Sequence, residues 1–187
     1  MDRRYDTRHI FLAIGACIAL ISPVLILLMP LALINTLYYQ RDIWILYAPG
    51  ENYLAYGFSL FLVVLACPLL WLLDIRKASI ALAITCLIAS GVVFYYVSLS
   101  YVTLSDEEIS YRKLFSQEKK NYDWEELDQV LYYEKLPEDK DLSYYEFYFK
   151  DGEKLTIKQN KYVTDIQQGL NSKVRFLNIP LVYVEDK

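Results

Sequence analysis

The side chains able to do acid–base, nucleophilic or metal chemistry are few in this sequence, and they are scattered. There is one histidine, His9, and it stands at the head of a long apolar run. A histidine-based triad needs a nucleophile and a carboxylate converging on the ring, and a zinc site needs several ligands, so one isolated imidazole supports neither, and His9 reads as an interfacial residue beside Arg8. The cysteines Cys17, Cys67 and Cys86 all fall inside apolar runs, where a free thiol behaves as a small packing hydrophobe. Paired carboxylates occur at Glu107-Glu108, Glu125-Glu126 and Glu138-Asp139, in turn-like stretches with lysines nearby, and read as solvated surface. No GxxxxGK phosphate loop and no GxGxxG turn is present. The expectation is therefore a protein that is not an enzyme and takes no cofactor and no metal.

The elements that hold these residues divide sharply along the chain. Residues 1–102 contain five acids (Asp2, Asp6, Asp42, Glu51, Asp74) and six bases (Arg3, Arg4, Arg8, Arg41, Arg76, Lys77), while the remaining 85 residues carry 18 acids and 13 bases. Residues 10–37 run without a charge, and spanning a bilayer core takes roughly 20 apolar residues. Similar runs follow at about 54–73 and 79–101. The sequence thus predicts a membrane domain of three spans over 1–102 and a soluble domain over 103–187. Pro23, Pro30 and Pro68 are kink candidates within the spans. The tight turn Asp74-Ile75-Arg76-Lys77 predicts an antiparallel hairpin of the second and third spans. Tyr38, Tyr39, Trp44, Tyr47, Tyr53 and Tyr56, with Trp71 and the trio Tyr95, Tyr96 and Tyr101, suit aromatic belts at the interfaces. No charged residue falls at mid-span, where ion and proton pathways place theirs, so a transporter or channel subunit is disfavoured.

Orientation follows from short-loop bases. The N-terminal tail and the 74–78 turn together hold five, against Arg41 alone in the 38–53 loop. That count predicts a cytoplasmic N-terminus and a C-terminal domain outside. Arg112, Lys113, Lys119 and Lys120 follow the third span closely, pull the other way, and form a candidate membrane-proximal basic patch.

In the soluble half the pattern turns to strands. Tyr101–Leu104 and Ile109–Phe115 flank an acidic turn, a third short strand covers Lys119–Tyr122, Asp123–Leu127 reads as a brief helical turn, and Gln129–Glu134 is β-prone. A polar loop covers 137–141. Tyr144–Lys150 and Glu153–Lys158 flank Asp151-Gly152, a strong hairpin signal. Thr164 or Asp165 is the expected cap of a helix to about Phe176, with Ile166, Leu170, Val174 and Leu177 at helical spacing. Leu181–Val184 suits a terminal strand.

Three strings carry a resemblance: Thr103-Leu104-Ser105-Asp106-Glu107-Glu108-Ile109-Ser110-Tyr111, then Tyr122-Asp123-Trp124-Glu125-Glu126-Leu127, then Asp151-Gly152-Glu153-Lys154-Leu155. Over residues 101–178 the chain resembles bacterial pleckstrin-homology-like (PH-like) domains, which often follow membrane hairpins. The resemblance implies an α+β domain, a bent antiparallel sheet closed by a C-terminal helix, used for docking or assembly. It also implies a bacterial cell membrane as the location. The expected partners are membrane lipids along the spans and another protein, or a second copy, at the soluble domain. Nucleic acid is disfavoured by the acidic balance. The aromatic run supplies the candidate interaction surface: Tyr144, Tyr145, Phe147, Tyr148 and Phe149. A membrane immunity protein neutralising a basic toxin is the alternative expectation, and a small transporter or channel subunit the second alternative.

Overall fold

A backbone in hydrocarbon must satisfy its own hydrogen bonds, so uncharged runs of this length are expected as helices. The computed structural model describes residues 7–39, 41–135 and 142–185. Three helices in it are long and apolar enough to cross a membrane: α1 (Thr7–Tyr38), α2 (Gly50–Leu72) and α3 (Lys77–Ser98). At 1.5 Å per residue α1 is about 48 Å long, more than a hydrocarbon core of about 30 Å requires. Pro23 and Pro30 lie within it, and Pro68 lies within α2.

The helices form one compact unit with residues 99–101 and 112–118. Polar side chains inside it turn inward or back onto their own helix. The Ser59 hydroxyl donates to the Ser90 carbonyl at 3.0 Å, and the Ser90 hydroxyl donates to the Ser59 carbonyl at 2.8 Å. This reciprocal clasp joins α2 to α3 at a place where small side chains let backbones approach. Ser22, Asn35, Thr36 and Thr85 each donate to the carbonyl four residues back. Gly15 lets α1 press on α2, since a Cβ there would lie 2.7 Å from that of Cys67.

The third span ends earlier than the expected 101. Leu99 and Ser100 donate to the carbonyls of Tyr96 and Val97, closing α3 at Ser98, and the Asn52 side-chain amide donates to the Ser100 carbonyl at 2.9 Å. Tyr101 then begins a strand.

The second compact unit comprises 41–46, 102–111, 119–135 and 142–185. Its first sheet has the order β1-β2-β3-β4, from β1 (Ile43–Tyr47), β2 (Tyr101–Ser105), β3 (Glu108–Arg112) and β4 (Lys120–Asp123). The strand β1 comes from the loop between α1 and α2, where no strand was expected. A 3₁₀ turn at Trp124–Glu126 follows, capped by the Glu126 carboxylate accepting from the Asp123 N–H at 2.8 Å. The second sheet has the order β7-β6-β5-β8, from β5 (Leu127–Glu134), β6 (Tyr144–Phe149), β7 (Lys154–Lys158) and β8 (Leu181–Glu185). The polar loop expected at 137–141 lies outside the described residues. Gly152 takes a φ of 87° in the β6–β7 turn, a left-handed conformation that glycine adopts readily.

Between β7 and β8 runs α4 (Lys161–Phe176). It opens before the expected Thr164 or Asp165 because the Asn160 side chain caps it, accepting from the Val163 N–H at 3.0 Å. This helical crossover brings β8 alongside β5 in parallel, Leu131 opposite Val182, where only antiparallel strands were expected. The core of the unit holds Ile109, Tyr111, Val130, Phe147 and Ile157, with Val163, Leu170 and Val174 of α4.

Candidate interaction surface

The side-chain period of two divides β6 between two environments. Tyr145, Phe147 and Phe149 point into the core and are buried. The Tyr145 hydroxyl donates to Asn171 of α4 at 3.3 Å, and burial pushes that phenol up to about 12. Phe149 stacks on Tyr122 of β4 at 3.8 Å between centroids. The expected five-residue aromatic surface is corrected accordingly: three of its members are core, and only Tyr144 and Tyr148 remain half-exposed on the other face.

That other face is built by register. Leu131 on β5 lies opposite Glu146 on β6, which lies opposite Thr156 on β7; one step along, Tyr133, Tyr144 and Lys158 form a second row. Val182 and Val184 of β8 continue the two rows beyond β5. Tyr133 and Tyr144 stack with centroids 4.6 Å apart and planes at 12°. Among these rings Glu146 is only 7% exposed. A carboxylate so placed needs partners, and it has two: Lys154 Nζ at 2.8 Å and the Tyr148 hydroxyl at 2.8 Å. The hydrogen bond to Glu146 raises the Tyr148 phenol and the Lys154 ammonium above their ordinary values, so both keep their protons. At the Tyr144 end, Lys135, Leu142, Tyr144 and Lys158 line a cleft of about 240 Å³. The face is an apolar and aromatic strip with one neutralised charge pair at its centre, and β8 is the outer strand of the sheet on this side. Such a surface can bury area against another protein, and a free strand edge can pair with an added strand.

Sequence reasoning singled out the aromatics and missed Glu146, Leu131, Tyr133 and Val182. The signal for Glu146 was present, a charge at an even position of an alternating strand. The pairing of β8 had none, because register across a parallel crossover is not written locally.

The four expected basic residues are not gathered in one unit. Arg112, half-buried, and exposed Lys113 belong with the helices, whereas Lys119 and Lys120 belong with the sheets, where Lys120 approaches Glu153 at 3.9 Å. An acidic cleft of about 220 Å³ is lined by Asp106, Glu107, Asp123, Trp124, Glu125, Lys173 and Leu177. Among the described residues no group of three or more His, Cys, Asp or Glu is arranged to hold a metal ion. No protein-family model matches the chain, and no curated protein matches it.

Proposed function

We propose that this chain is a multi-span bacterial membrane protein that anchors a non-catalytic, PH-like binding domain. In this reading the domain binds another protein or a second copy through the outer face of the β5–β8 sheet. Three helices of spanning length support the anchor. Antiparallel pairing of β3 with β4, of β5 with β6 and of β6 with β7, followed by a helix after β7, supports the PH-like reading. The observation that carries the binding role is the strip of Leu131, Tyr133, Tyr144, Tyr148 and Val182, left partly open around a fully paired Glu146. An N-terminus in the cytoplasm and the domain outside is the orientation that the five bases of the tail and the 74–78 turn favour.

The test is site-specific photocrosslinking in cells. A photoreactive residue at Val182 or Tyr144 is expected to capture a discrete protein product. The same residue at Thr164 on α4 is expected to capture none. Equal or absent capture at all three positions would sink the reading.

A further inference from the structure

Neither the anchor nor the sheet face uses the connection between β3 and β4. Its residues 112–118, Arg-Lys-Leu-Phe-Ser-Gln-Glu, belong to the same compact unit as the three helices. Gln117 Nε2 donates to the Tyr96 hydroxyl at 3.2 Å, and the Phe115 ring lies 6.3 Å from the Tyr96 ring. Tyr96 is two residues from the end of α3, about 3 Å along the helix axis at 1.5 Å per residue, so Phe115 packs on the last turn of that helix. This is the depth at which amphipathic and aromatic side chains meet headgroups. Phe115 nevertheless stays 57% exposed, and Tyr95, whose ring lies 5.6 Å from that of Tyr96, is 60% exposed.

The backbone adds a second observation. Phe115 has a φ of 61°, a left-handed conformation that glycine or asparagine adopts more readily. The turn is held there by the Ser116 N–H donating to the Lys113 carbonyl at 3.0 Å and by the Glu118 N–H donating to Ser116 Oγ at 3.1 Å. A large apolar ring is thus carried on a strained turn and left mostly exposed beside Tyr96.

We propose that residues 113–117 form a membrane-inserting loop, with Phe115 seated in the lipid interface beside the end of α3. The inference rests on the reading of α3 as a span. Lipid is the occupant because the Phe115 ring meets the Tyr96 ring, the Tyr96 ring meets that of Tyr95 at 5.6 Å, and Tyr95 and Val92 are exposed on α3, so a protein covering Phe115 would have to displace lipid from that helix. The local sequence agrees in sign: residues 112–118, which lie in this unit, hold two bases and one acid, which suits anionic headgroups.

The experiment uses the full chain with Cys17, Cys67 and Cys86 replaced by alanine, reconstituted in phosphatidylcholine–phosphatidylglycerol vesicles. A nitroxide is attached in turn at Phe115→Cys, at Ile88→Cys within α3, and at Leu142→Cys in the soluble domain. Its relaxation by oxygen, enriched in lipid, is compared with that by a water-soluble nickel chelate. Oxygen is expected to dominate several-fold at 115, at a shallower depth than at 88, while nickel dominates at 142. Nickel dominating at 115 as it does at 142 would overturn the proposal, and so would protection at 115 from both agents, which means burial under protein. If oxygen also fails to dominate at 88, the spanning reading falls and this proposal falls with it. Should the Phe115→Cys chain misfold, lipid-to-ring proton cross-peaks on wild-type protein with labelled phenylalanine answer the same question. Their loss in Phe115→Leu assigns them, and finding none overturns the loop.

Discussion

Asp151 sits at the β6–β7 turn with both carboxylate oxygens engaged. One accepts from the Tyr122 hydroxyl at 2.7 Å and the other from the Glu153 N–H at 2.9 Å. The Tyr122 hydrogen bond, then the Glu153 amide, hold its carboxyl below the ordinary aspartate value of 3.8. Burial, then the hydrogen bond to Asp151, push the Tyr122 phenol upward, so it remains a donor at neutral pH. A carboxyl depressed in the folded state stabilises above its unfolded value, and that contribution is lost as pH falls through the lower folded value. Asp151→Asn is therefore expected to lower the melting temperature slightly at neutral pH. The gap to wild type should hold from about pH 6 to about pH 5 and narrow from there towards about pH 3. A gap that is constant across that range would show that the charge does not matter.

Among elements, the α1–α2 contact is the one most exposed to a single change. Gly15 faces Cys67 with no room for a Cβ, and Gly91 in α3 faces open space. Gly15→Leu is expected to push α1 off α2 and cost about 1–3 kcal/mol, the usual range for overpacking a close contact. Gly91→Ala should cost almost nothing. Thermal unfolding of both variants in detergent checks the pair, and equal losses would mean that the approach of α1 to α2 is not set by Gly15. The elements differ in how far local sequence reveals them. The apolar runs and the Asp151-Gly152 hairpin are legible because length, hydropathy and turn chemistry are local. The strand β1 was not, since Ile43-Trp44-Ile45-Leu46-Tyr47 is short and reads equally as an interfacial belt until β2 pairs with it. Which aromatics of β6 are buried was legible only as alternation. The choice of face required α4, whose Asn171 meets Tyr145.

For the whole molecule, the topology constrains where each loop emerges. The strand β1, between α1 and α2, shares a sheet with β2, which follows α3. If all three helices span, both lie on one side of the membrane, and the 73–76 turn lies on the other. Cysteines at Asp42 and Leu142 are expected to share one pattern with an impermeant reagent on intact cells, and a cysteine at Ala78 the opposite one. Leu142, 60% exposed, suits labelling better than its neighbour Ser143, which accepts from the Lys135 N–H and offers its carbonyl to Gln159. Labelling of 42 and 142 from outside would also establish the orientation favoured by the basic tail. Opposite patterns for 42 and 142 would contradict either the pairing of β1 with β2 or the count of three spans.

The amino-acid sequence alone determined the division into an apolar, charge-poor half and an acidic, strand-rich half. It also determined the number of long helices and most strand positions, because charge, run length and period are properties of neighbours in the chain. Tertiary structure decided the rest. It enlisted a loop strand from between the helices, laid β8 parallel to β5, placed Glu146 under its two partners and carried Phe115 to the end of α3. The strand pairings among these join residues far apart in the chain, and they are settled by which buried groups find partners rather than by any local pattern.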